Sequence, residues 1–335
     1  MKKTIAALSA LALLAGALTG CAAKKDAAAG ATKTYKIGIS KIVAHPALDA
    51  VEKGVQDELA AQGIAATFDL QNANGDVNTA TQIATKFKSD NDDLVVAIAT
   101  PTAVAAANVI KDKPVIFATV TDPVSAGLVD ENNMGKGNVT GLSDKIDVLQ
   151  QITIFARVAK IKTLGYIYTS SEANSASSLA DVQKACDTLG IKLVPQSINN
   201  SSEVKQATEA IIGRVDGIYL TTDNTVFSAL PALVAVARTA KKPVFSADTT
   251  SAQEGGCLIA SGFDYYKAGR ATGKIVADVL KGKTPAEIPV KYITEPSETD
   301  FLIDLDAAKN CGITFPKDIT DAASKVFENG KLTTK

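Results

Sequence analysis

The side chains in this sequence that could do chemistry are hydroxyls, carboxylates and amides, gathered in short segments that suit binding better than catalysis. His45 is the only histidine of 335 residues and precedes Pro46, with no partner near it in sequence. A capping or ligand-contact role therefore suits it better than that of a general base. No Ser/His/Asp or Cys/His set can be assembled, which leaves an exported hydrolase without an activated nucleophile. One histidine also argues against a zinc or copper site, and the sequence calls for no metal and no cofactor. Gly269-Arg270-Ala271-Thr272-Gly273-Lys274 imitates a phosphate loop, but three residues separate its glycines and Ile275 follows where Ser or Thr belongs. Gly135-Lys136-Gly137 is followed by Gly141, one position late for a dinucleotide fingerprint.

The remaining candidates form a pattern of two halves. In the first, Ser40 closes an apolar run, and His45-Pro46 opens a helical stretch. Thr100-Pro101-Thr102 follows LVVAIA, with Thr100 as the N-cap and Pro101 as the first helical residue. Thr121 and Asp122 lie in the loop TVTDP. A helix start carrying hydroxyls is a ready site for a carboxylate, although plain capping needs no ligand. In the second half the corresponding segments hold Glu172, Asn174 and Ser175, then Asp223 and Asn224, then Asp248. Acids collect there, which suits an ammonium, so the two halves together suit a zwitterion. Asp and Asn are also ordinary turn residues. On this reading, Asp223→Ala and Thr102→Ala should each weaken binding and leave unliganded melting nearly unchanged.

The elements that must position these segments alternate as strand and helix from Tyr35 onward, the pattern of parallel sheets with helices on their faces. YKIGIS (35–40) reads as a strand and Pro46 to Gln62 as an amphipathic helix closed by Gly63; further helices fall near 77–89 and 102–111. The scheme restarts at Lys162: TLGYIYT matches the first strand, and a helix from about Ala173 ends at Gly190. First-strand glycine and helix-closing glycine are 25 residues apart in both copies, Gly38 to Gly63 and Gly165 to Gly190. An Asn-rich loop and a helix follow each time. Two such units predict an α/β protein of two Rossmann-like lobes whose strand C-termini share a ligand-binding crevice.

The N-terminus is an address. Lys2 and Lys3 precede an apolar run from Ile5 to Leu18, about 14 residues, short of the roughly 20 that span a bilayer. It ends in Leu18-Thr19-Gly20-Cys21, which resembles the bacterial lipobox. That resemblance implies cleavage of a signal peptide (1–20), lipid on Cys21, and a cell-membrane lipoprotein on the extracytoplasmic side. Residues 21–34 are small and polar and read as a tether. The net charge of −1, or −3 without Lys2 and Lys3, gives no basic field for nucleic acid. Of the remaining cysteines, Cys257 and Cys311 could pair outside the cytoplasm, and three free thiols fit equally well.

Lipobox, tether and two α/β lobes resemble a substrate-binding lipoprotein of an ABC importer. ISKIVAHPALDAVEKGVQDEL (39–59), TVTDPVSAGLV (119–129), NVTGLSD (138–144), SSEANS (170–175) and GFDYYKAGRATGKI (262–275) are similar to the group that includes tryptophan- and tyrosine-type binding proteins. The resemblance covers 35–330 and implies a type 1 periplasmic-binding-protein fold with a three-strand hinge. Lobe 1 would be 35–142 and 263–293, lobe 2 would be 143–262 and 294–330, with hinges at Gly141, Gly262 and near Glu295-Pro296. It implies an amino acid as ligand, aromatic in this group, with Phe117, Phe227, Tyr265 and Tyr266 available for ring contacts. It also implies permease and ATPase subunits as partners. A sensory receptor signalling to a membrane kinase or chemoreceptor, or a receptor for a nucleoside or sugar, are the alternatives.

Overall fold

In the computed structural model, which describes residues 33–293 and 295–335, the chain forms two sheets flanked by helices. The expected signal peptide, Cys21 and most of the tether lie outside the described residues. The first lobe begins with β1 (Tyr35–Lys41), α1 (Pro46–Ala61), β2 (Ala66–Asn72), α2 (Val77–Ser89), β3 (Leu94–Ile98), α3 (Thr100–Val109), β4 (Val115–Ala118) and β5 (Val139–Ser143). The chain then crosses to α4 (Val148–Ala159), β6 (Thr163–Thr169), α5 (Ala173–Leu189), β7 (Lys192–Ile198), α6 (Val204–Ile212) and β8 (Gly217–Leu220). The short α7 (Asn224–Ser228), α8 (Leu230–Thr239), β9 (Val244–Ser246) and β10 (Ile259–Phe263) complete that run. It returns as α9 (Tyr265–Leu280) and β11 (Lys291–Tyr292), and crosses again to β12 (Thr299–Asp304), α10 (Leu305–Cys311), α11 (Lys317–Ala322), β13 (Lys325–Glu328) and β14 (Lys331–Thr334).

The strand order shows the repeat. The first sheet runs β11-β5-β4-β3-β1-β2, and the second runs β14-β13-β12-β10-β9-β8-β6-β7, so both contain one five-strand parallel arrangement. β3 and β4 are buried along their whole length, as parallel strands covered on both faces must be. The second sheet reaches Thr334, beyond the expected end at 330. Asn329 and Gly330 take φ of 53° and 72° there, the turn that folds β14 back on β13.

α1 and α9 lie against each other with almost no space between backbones. A Cβ on Gly54 would come within 2.4 Å of the Tyr266 carbonyl oxygen, and one on Gly269 within 2.3 Å of that of Val51. A Cβ on Gly273 would come within 2.5 Å of the Glu58 side chain, and Arg270 Nε donates to Glu58 Oε2 at 2.6 Å. The phosphate-loop imitation is therefore a helix-packing device. Close approach also explains Gly141 and Gly262, where an added Cβ would lie 2.0 Å from the carbonyl oxygens of Phe117 and Ala247. These two glycines stand in β5 and β10, the strands that lead into the first two crossings. Cys186, Cys257 and Cys311 are all free thiols, so the Cys257–Cys311 bridge is not formed.

Candidate functional site

Between the lobes, where the strands end, lies a narrow cavity whose free space in this closed form is about 10 Å³. The first lobe contributes His45, Leu48, Thr100, Thr119 and Thr121, and the second Asn174, Thr222, Asn224, Phe227 and Asp248. Asp144 and Tyr265, at two of the crossings, complete the wall. No lysine or arginine lines it. Larger hollows exist elsewhere, one of about 420 Å³ beside Arg238 and Asn310. Two of its three acids are spent on backbone: Asp304 accepts from the Gly256 and Ala307 N–H groups, and Asp306 from those of Asn329 and Gly330.

The interlobe cavity differs because its polar atoms are left over. Both ring nitrogens of His45, Thr100 Oγ1 and Asn174 Oδ1 are buried without a hydrogen-bond partner. The other such residues among those described, Glu52 and Asp92, face lysine counterions at 3.2 and 3.0 Å. Buried polar groups are rarely left unpaired, so atoms that converge on one cavity without a protein partner suit a polar solute or water there. The backbone is strained at the same place. Ala99, which precedes α3, has φ 77° and ψ 158°, a region that glycine alone enters readily, and Thr119 has φ 52°.

Carboxylates dominate the electrostatics. Burial pushes the Asp144 pKa up to about 6, although Tyr265 donates to its Oδ2 and Thr121 to its Oδ1, each at 3.2 Å. Burial also raises Asp248, whose oxygens accept from the N–H groups of Thr250 and Ser251 and from the Ser251 hydroxyl. His45 is pushed down by burial, against the pull of Asp248, which keeps the ring neutral. Behind the wall, burial and then the Asp223 charge lift Glu172 to about 7.

Of the residues singled out in the sequence, His45, Thr100, Thr121, Asn174, Asn224 and Asp248 reach the cavity. The other six do not. Ser40 is buried in β1 away from the wall. Thr102 donates its hydroxyl to the Ile98 and Ala99 carbonyls at 2.6 and 3.0 Å. Asp122 sits at the rim, taking the Ser125 N–H at 2.9 Å and the Ser177 hydroxyl of the opposite lobe at 3.4 Å. Glu172, Ser175 and Asp223 form a layer behind the wall. Asp223 accepts from Thr169 N–H and hydroxyl at 2.6 and 2.8 Å, from the Ser175 hydroxyl at 2.6 Å and from Val226 N–H at 3.0 Å.

Thr100 is not the cap of α3 either; it is the first helical residue and Ala99 precedes it. Among the aromatic candidates, Phe227 and Tyr265 line the cavity, Phe117 is core, and Tyr266 is exposed and bonded to Asp57 at 2.9 Å. The sequence reading missed Asp144, whose signal was its place directly after a first-lobe strand, and Leu48. Among the described residues, no group of three or more His, Cys, Asp or Glu could hold a metal ion. No described helix is long and apolar enough to cross a membrane.

A model of the family described as ABC transporter substrate binding protein matches residues 36–327. The chain belongs to that family. A tyrosine-binding protein of Clostridioides difficile (strain R20291) is 36% identical over 320 residues, 92% of each chain. An ABC domain from Streptococcus pneumonia, solved in complex with L-Trp, is 33% identical with a TM-score of 0.83, covering 88% of this chain and all of that one. A ligand-free, open substrate-binding protein with adhesive properties from Clostridium difficile is 36% identical, with a TM-score of 0.62 over 85% of this chain and 97% of that one. The fold is the two-lobed type 1 periplasmic-binding-protein fold. Membership of a binding family accounts for a cavity without a nucleophile.

The lobes are closed. The chain overlays better on the L-Trp complex than on the open relative despite lower identity, and Thr121 Oγ1 meets Thr222 Oγ1 across the cleft at 2.9 Å.

Because Asp223 holds four protein donors, Asp223→Ala should lower unliganded stability by about 2–4 kcal/mol, contrary to the expectation from sequence. Urea unfolding measures this directly, and an unchanged midpoint would return Asp223 to the ligand.

Proposed function

We propose that this chain is a lipid-anchored, extracytoplasmic receptor of an ABC importer that captures an aromatic amino acid by closing its lobes. The unpartnered atoms on the cavity wall carry the reading. Thr100 and the start of α3 offer a hydroxyl and main-chain N–H groups to a carboxylate. Asn174 Oδ1, Asp248 and Asp144 offer acceptors and negative charge to an ammonium. Phe227, Tyr265 and Leu48 give apolar surface for a ring, with the Phe227 and His45 rings 6.2 Å apart. The relatives that bind tyrosine and L-Trp support the same ligand class. The closed form would then dock on permease subunits, whose ATPase partner supplies the energy.

Titration calorimetry with L-tyrosine and L-tryptophan tests this. An ammonium beside Asp144 and Asp248 favours their ionised forms, so it draws their raised pKa values back down. Binding near pH 6 should therefore release protons, visible as an enthalpy that depends on the buffer, and affinity should rise between pH 5 and 7. At 100 times its Kd the ligand should add about 2.7 kcal/mol to apparent stability. Binding of a sugar or nucleoside with no response to any amino acid would overturn the reading.

Anchoring rests on Leu18-Thr19-Gly20-Cys21. Cys21→Ala should move the protein from the membrane to the soluble fraction, and unchanged partitioning would contradict lipidation.

A further inference from the structure

Glu172 is buried and does not touch the cavity, yet it contacts both amide side chains that do. Its Oε2 accepts from Asn174 Nδ2 at 3.1 Å and from Asn224 Nδ2 at 2.6 Å. Its Oε1 accepts from the Thr225 N–H at 3.1 Å and the Thr225 hydroxyl at 2.7 Å. Four donors on two oxygens favour the ionised carboxylate, which only accepts, and work against the burial that lifts this group to about 7. Asn174 gives a further bond from Nδ2 to the Thr222 carbonyl at 3.0 Å. With both amide hydrogens engaged, its Oδ1 is the atom left for the cavity, and that atom has no partner. Asn224, also on the cavity wall, gives an Nδ2 hydrogen to the same carboxylate.

We infer that Glu172 is a positioning residue that locks Asn174 and Asn224 with their oxygens toward the cavity, and so makes the second lobe selective for a solute bearing an ammonium. The inference rests on the amino-acid reading above and deepens it: the selectivity comes from a group that never meets the solute. Without the lock an asparagine amide can present either its oxygen or its NH2 group, and a cavity edged by NH2 groups repels an ammonium. The carboxylate removes that choice.

Glu172→Gln tests the lock at constant volume. The Thr225 main-chain N–H cannot turn round, so the glutamine oxygen stays on Thr225 and its NH2 group faces the two asparagines. Asn174 is held by the Thr222 carbonyl. Asn224 is therefore the amide that turns, placing its NH2 group in the cavity. The probes are L-tyrosine and 3-(4-hydroxyphenyl)propionate, which differ only in the amine.

The wild type should prefer L-tyrosine. In Glu172→Gln that preference should narrow by about tenfold or more, with affinity for the des-amino acid nearly unchanged. A merely structural role would weaken both probes alike. Full retention of the preference in a folded Glu172→Gln protein overturns the inference and leaves the amino-acid reading standing. Should the wild type bind neither probe, L-tryptophan and indole-3-propionate, which also differ only in the amine, replace them, and failure of every amino acid brings down both readings. Should Glu172→Gln not fold, Asn224→Ala must narrow the preference by itself, and an unchanged ratio there overturns the inference equally.

Discussion

The structure turns on buried polar atoms that converge on the interlobe cavity with no partner in the protein. The His45 nitrogens, Thr100 Oγ1 and Asn174 Oδ1 reach this condition because two lobes meet over them. An unpaired buried donor or acceptor costs about 1–3 kcal/mol, so a guest that pairs with these atoms stabilises the closed form by that order for each bond it completes. Opening returns them to water, and a guest of the right polarity satisfies them while the lobes stay shut. The same atoms thus oppose closure without solute and reward it with solute. A ligand shifts such an equilibrium only by its differential affinity for the two states, which here is concentrated on the cavity wall.

The rest of the molecule keeps that wall in register. Parallel strands bring the loops after β3, β4, β6, β8 and β9 to one cleft, and the backbone strain at Ala99 and Thr119 lies where the first lobe lines it. Behind the second lobe's wall, Asp223 ties the end of β6 to the starts of α5 and α7, while Glu172 orients the amides. Rigid lobes matter because a binding geometry is only as precise as the shell supporting it. Glycines let α1 and α9 pack backbone to backbone, and let β5 and β10 approach their neighbours closely beside the crossings, at Gly141 and Gly262.

Much of this was legible in the sequence, because parallel strands announce themselves as continuous apolar runs and helix ends as glycines. The 25-residue spacing of Gly38–Gly63 and Gly165–Gly190 marks a repeat that the structure displays as one strand order used twice. Which loops face the cleft was legible too, since it follows from strand direction. Which atom in a loop faces the guest was not. Asp223 and Asn224 are neighbours, yet one caps α7 behind the wall and the other lines it. Thr100 and Thr102 divide likewise, because the helix starts one residue earlier than its proline suggested and turns the Thr102 hydroxyl onto backbone. Asp144 stayed hidden because a crossing is not a helix start and carries no cap signal.

The most direct test of the account is a crystal structure with L-tyrosine or L-tryptophan bound. The carboxylate should lie against Thr100 and the first turn of α3, and the ammonium among Asn174, Asn224, Asp248 and Asp144. A solute lying reversed, or bound outside the interlobe cavity with those atoms still unpartnered, would contradict it.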